Sequence, residues 1–151
     1  MLVPGNKAPP FTLVSDSGEQ VSLAGLKGKQ VVLYFYPKDD TAGCTVEACE
    51  FRDSWAAVRK AGAVVLGVSP DDVASHVKFK KKFALPFPLL ADPDHATAER
   101  YGVWGEKSMY GRKYFGINRT TFVIDAEGKI RTVFERVKPK GHAAQVLEAL
   151  R

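Results

Sequence analysis

With 151 residues, a net charge of +5, and 45% hydrophobic against 26% charged residues, the chain has the makeup of a soluble globular protein. It is long enough for one packed core and short for two, so a single domain over residues 1–151 is expected. No apolar run approaches the ~20 residues of a membrane-crossing helix, and the first ten residues carry three prolines and no apolar signal-like stretch, which predicts a cytoplasmic protein with no membrane contact.

Residues 11–14 and 20–23 are short extended runs on either side of Asp16-Ser17-Gly18, a turn signal, and predict an N-terminal hairpin. Residues 30–36, QVVLYFY, are nearly continuous β-branched and aromatic sequence, as in a strand covered on both faces, and belong at the centre of a sheet. A polar loop over 37–43 leads to a helix over 44–61, with apolar residues at Val46, Phe51, Trp55 and Val58 and an end at Gly62. Residues 63–68 read as a buried strand, 71–84 as a helix opened by acidic residues, and 87–91 as a strand after Pro86. Right-handed crossovers in this β-α-β-α-β series make its strands parallel.

The helix over 71–84 gathers Lys78, Lys80, Lys81 and Lys82, and further basic residues follow at Lys107, Arg112, Lys113 and Arg119. Phe79 and Phe83 interrupt the lysines at the spacing of a helix with one buried side. The lysines are therefore read as a solvated face, and with no zinc-finger spacing, heptad series or RNA-binding aromatic signature, no nucleic-acid partner is expected. Residues 102–118, rich in glycine and aromatics, read as an ordered loop. Residues 120–125 and 130–135, joined by Ala126-Glu127-Gly128-Lys129, predict an antiparallel hairpin, and 141–150 a closing amphipathic helix. The alternation as a whole is that of a mixed α/β fold.

The two cysteines, Cys44 and Cys49, stand C-x4-C at the start of one predicted helix. Metal binding asks for more ligands at shorter spacings, and His76, His95 and His142 are scattered and read as ordinary core or surface histidines. The spacing also differs from the C-x-x-C of dithiol exchangers. Cys44 lies at a loop-to-helix junction, where unpaired backbone N–H groups and the helix dipole stabilise a thiolate and any anionic transition state beside it. Thr41, three residues earlier, can serve that junction as an N-cap or as a hydrogen-bonding group for a ligand. Arg119, just before a predicted core strand, offers a fork of donors that stays charged at any working pH and is a candidate to stabilise such an anion.

Pro37-x3-Thr41-x2-Cys44, within YFYPKDDTAGCTVEAC, resembles the active-site motif of the peroxiredoxin family. The continuation to Cys49 is similar to the Q-type subgroup, also called bacterioferritin comigratory proteins; GVWGEKSMYGRKYFGINRTTFVID resembles the segment with that subgroup's catalytic arginine, and GNKAPPFTL the family's opening. The resemblance implies a peroxidatic Cys44, a resolving Cys49, peroxide-binding Thr41 and Arg119, a shielding Pro37, backbone N–H contacts from Gly43 and Cys44, and Glu47 as the acid that orients the arginine. It implies a thioredoxin-like fold, a central mixed sheet flanked by helices with an N-terminal β-hairpin extension. Ala42 stands where many relatives carry a second proline, a departure that removes no functional atom.

The implied reaction takes a hydroperoxide to water or an alcohol through a Cys44 sulfenic acid and a Cys44–Cys49 disulfide, reset by thioredoxin or a glutaredoxin. No metal, haem or flavin enters it, and the subgroup points to a monomer. The rival readings are a thiol–disulfide exchanger, disfavoured by the missing C-x-x-C and by the presence of Thr41 and Arg119, and a non-catalytic binder with inert buried cysteines.

Overall fold

A computed structural model describes residues 2–150, so Met1 and Arg151, the two ends of the expected domain, lie outside it. Seven strands form one mixed sheet in the order β2-β1-β5-β4-β3-β8-β9. The N-terminal hairpin is β1 (Thr12–Ser15) and β2 (Gln20–Ser22). The central run is β3 (Gln30–Phe35), β4 (Ala63–Ser69) and β5 (Leu89–Ala91), all parallel, and β8 (Thr120–Ile124) and β9 (Ile130–Phe134) extend the sheet antiparallel on the far side of β3.

Period-two alternation along β3 divides the core. Val32, Tyr34 and Tyr36 face one cluster with Phe51, Val58, Phe79, Phe87 and Val146, while Val31, Leu33 and Phe35 face the other with Leu66, Tyr101, Phe122 and Ile124. Helices α1 (Ala42–Asp53), α2 (Trp55–Lys60), α3 (Val73–Phe83) and α5 (His142–Ala149) supply the first cluster, and the short α4 (Ala96–Arg100) the second. Full burial of such side chains stabilises the fold by roughly 1.5–3 kcal/mol each. Tyr34 stacks on Phe51 with ring centroids 5.0 Å apart, which pins the middle of α1 to the central strand.

Three expectations change. The helix over 44–61 starts two residues earlier, because Ala42 and Gly43 already take helical geometry behind Thr41, and it breaks at Ser54, whose amide bonds back to Glu50 and Arg52 before α2 begins. The solvated-face reading of α3 holds for most of its lysines, but Lys80 pairs with Asp16 at 2.9 Å. Residues 102–118 are not a loop. They contain a second, two-stranded sheet, β6 (Trp104–Met109) against β7 (Arg112–Ile117), joined by Tyr110 and Gly111. Both joining residues have positive φ, 53° and 77°, the two-residue turn that matches the twist of a hairpin. Aromatics that face solvent, Tyr110 and Phe115, hide the inward-outward alternation in the sequence. Trp104 at the base of this hairpin lies flat on His95, with ring centroids 3.8 Å apart.

Candidate active site

Cys44 is the third residue of α1, set in its first turn by the Thr41 N-cap position and the Ala42-Gly43 start. Only 1% of it is exposed. β8 is preceded by Arg119, whose backbone carbonyl accepts from Val137 N–H and whose side chain crosses to α1. There Nη2 donates to Cys44 Sγ at 3.2 Å and Nη1 to Glu47 Oε1 at 2.7 Å. The one guanidinium thus spans the sulfur and the carboxylate three residues further on the same helix face. Glu47 is fully buried on its side chain and its Oε2 has no hydrogen-bond partner among the described residues.

Burial lifts the Glu47 carboxyl to about 7, with the Arg119 charge and hydrogen bond pulling the other way. For Arg119, burial opposes the charge, but Glu47 and then Cys44 outweigh it and hold the guanidinium more firmly protonated than usual. Lys107 on β6 donates to the Ile117 carbonyl at 2.8 Å, two residues before Arg119. Its pKa is lowered by partial burial and by the Arg119 charge, with Cys44 opposing, so the hairpin places a second cation in the field of the sulfur.

Gly43 leaves room for its neighbours, since a Cβ there would stand 3.3 Å from both Arg119 Nη2 and Pro139 Cγ, a contact that one of them would have to yield to. Pro139, in the turn before α5, was not legible as a site neighbour; nothing in its local sequence marks it. Thr41 is at the N-cap position but does not cap the helix. Its hydroxyl donates to the Lys38 carbonyl at 3.0 Å, and the residue is exposed. Pro37 is half-buried at the end of β3. Cys49 is half-buried on the next turn of α1 and both thiols are free. A cavity of about 790 Å³ borders Asn118 and Thr120, and none of Cys44, Glu47 or Arg119 lines it.

The sequence model of the AhpC/TSA family matches residues 4–133. The chain belongs to the peroxiredoxin (AhpC/TSA) family. It is similar to a putative peroxiredoxin bcp of Coxiella burnetii, 58% identical over 146 residues that make up 97% of each chain, and to peroxiredoxin Bcp of Bacillus subtilis, 50% identical over 147 residues covering 97% and 94%. Among solved structures it is similar to the bacterioferritin comigratory protein of Xanthomonas campestris, described for its alkyl peroxide reduction activity, with a TM-score of 0.89 at 42% identity over 93% and 89% of the two chains. A cysteine-to-serine mutant of Xylella fastidiosa PrxQ gives a TM-score of 0.94 at 34% identity over 99% and 96%. This peroxiredoxin is thus a thiol-dependent peroxidase with a thioredoxin-like fold of the Q type, as the resemblance in its motifs implied.

Proposed function

We propose that Cys44 is the sulfur that attacks the hydroperoxide, and that Arg119, Thr41 and the N–H groups at Gly43 and Cys44 stabilise the reaction. The observation that carries this reading is the guanidinium held between Cys44 Sγ and Glu47. The thiolate attacks the nearer peroxide oxygen, the O–O bond breaks, and the leaving oxygen takes its electron pair and a proton to become water or an alcohol, leaving Cys44 as sulfenic acid. The fork of Arg119 meets the charge as it develops, from a site that excludes bulk water. Thr41 has given its hydroxyl hydrogen to Lys38, so its oxygen lone pairs are free to accept from the peroxide O–H. Glu47 orients the arginine, and Pro37 shields the opening.

Cys49 is the resolving thiol. It condenses with the sulfenic acid, expelling water, and a dithiol protein of the thioredoxin or glutaredoxin type returns both sulfurs to thiols by exchange. Residues five apart on an α-helix have Cα atoms roughly 8–9 Å apart, beyond the about 7 Å a disulfide tolerates. The first turns of α1 must therefore unwind for the bond to close. The protein acts as one domain over residues 1–151, as a monomer in the cytoplasm, with no nucleic-acid partner; among the described residues no helix is long and apolar enough to cross a membrane. Hydroperoxide turnover with a thioredoxin system tests the reading: Cys44→Ser abolishes it while the fold persists, and near-normal turnover by the folded variant overturns the assignment.

A further inference from the structure

Between β3 and α3 lies a buried polar cluster that the proposed chemistry does not use. Its hub is Asp39, in the middle of the 37–41 loop and 7% exposed. Tyr36 Oη donates to Asp39 Oδ1 at 2.6 Å, and Ser75 Oγ and His76 Nδ1 meet Oδ2 at 2.8 and 2.7 Å. His76 is fully buried, and its Nε2 lies 3.0 Å from the Leu90 carbonyl. The ring therefore bridges the β5 backbone and the loop through both of its nitrogens. The backbone of Asp39 is held as well: its N–H donates to Asp71 Oδ2 at 2.7 Å, an oxygen that Ser69 Oγ also reaches at 2.7 Å.

Ligand-type atoms of Asp39, Asp71 and His76 lie within 4.8 Å of one another, the size of a metal cluster. They are already spent on each other. His76 Nδ1 touches Asp39 Oδ2, and Asp71 Oδ2 already receives two hydrogens, so few lone pairs are left to converge on a cation.

The significance of the cluster lies in one peptide unit. The Asp39 N–H and the Lys38 carbonyl belong to the same planar group and point in opposite directions. Fixing the N–H on Asp71 therefore fixes the direction of the Lys38 carbonyl, and that carbonyl is the acceptor of the Thr41 hydroxyl. Asp40 follows with φ 58°, the left-handed turn that swings Thr41 back over Lys38. We propose that Asp39, Asp71 and His76 are positioning residues for Thr41: they lock the Lys38–Asp39 peptide, which takes the Thr41 hydrogen and leaves its oxygen facing the peroxide. The inference rests on the reading of Thr41 given above.

The test compares two reactions of the same sulfur. Stopped-flow oxidation of Cys44 by hydrogen peroxide uses Thr41; alkylation of Cys44 by iodoacetamide does not. Asp71→Ala, which is only half-buried and keeps the core, and His76→Gln each slow peroxide oxidation by about fivefold, the effect of one misplaced hydrogen bond, while alkylation stays at the wild-type rate. In a Thr41→Val background neither change slows oxidation further. Wild-type peroxide rates in a folded Asp71→Ala protein, equal loss in both reactions, or full additivity with Thr41→Val overturns the proposal. Should Thr41→Val itself oxidise at the wild-type rate, the reading of Thr41 fails and the positioning role with it; slow Thr41→Val beside a normal Asp71→Ala overturns the positioning role alone.

Discussion

Replacing Glu47 by Gln isolates the cost of the buried carboxylate beside the reactive sulfur. In the folded protein this carboxyl titrates near 7, against an ordinary value of 4.5, because burial penalises its charge more than Arg119 relieves it. Between those two values the folded state holds a proton that the unfolded chain has released. Stability from this group is therefore complete below pH 4.5 and is lost as pH rises through about 7, by about 3 kcal/mol at ~1.4 kcal/mol per pH unit. Urea denaturation of wild type and Glu47→Gln at closely spaced pH values between 4 and 8.5 measures the difference, since every other carboxylate contributes equally to both. The gap between the two stabilities moves by about 3 kcal/mol in favour of Gln as pH rises across that window. A constant gap across it refutes the reasoning, and would mean that the Arg119 ion pair offsets the desolvation in full.

Arg119→Ala lowers the rate constant for peroxide attack by more than about tenfold, as removal of a transition-state donor does elsewhere, and Arg119→Lys is impaired as well because a point charge cannot span Cys44 and Glu47; stopped-flow oxidation measures both. Gly43→Ala forces its new methyl within 3.3 Å of Arg119 Nη2 and slows the same step by less than Arg119→Ala does, with unchanged secondary structure by circular dichroism. Amide hydrogen exchange over residues 44–50 is faster in the disulfide form than in the reduced form; equal protection refutes the unwinding step. At high peroxide, mass spectrometry finds more Cys44 sulfinic acid in Cys49→Ser than in wild type, since the competing condensation is gone.

The elements with strong periodicity and clean punctuation were legible in the sequence: β3 from its unbroken β-branched and aromatic run, α3 from its phenylalanine spacing and acidic start, the β8–β9 hairpin from its turn. The β6–β7 hairpin was not, because its tip exposes aromatic residues where a strand pattern expects polar ones. The site residues Cys44, Glu47 and Arg119 do converge, and the i,i+3 spacing of the first two was enough to place them on one face. What lay beyond reach was tertiary. Asp39 and His76 are 37 positions apart and look like a loop acid and a stray histidine until β5 and α3 bring them together. Thr41 was readable both as a helix cap and as a hydrogen-bonding group for a ligand, and the fold turns its hydroxyl onto the Lys38 carbonyl and away from the helix.

The second half of α1 is tied down independently of the first. Glu50 Oε1 accepts from Gly141 N–H at 2.8 Å, Arg52 Nη1 donates to the Phe83 carbonyl at 2.8 Å, and Phe51 is stacked in the core. With Asp39 held at the other end, a change in the cysteine turns is a short segment moving between two clamps. Segments of this kind relax fast: helix–coil exchange takes about 0.1–1 μs even for a ~20-residue peptide. In the proposed cycle only this short segment has to rewind after reduction, so the packed remainder of α1 keeps its place while the two sulfurs part.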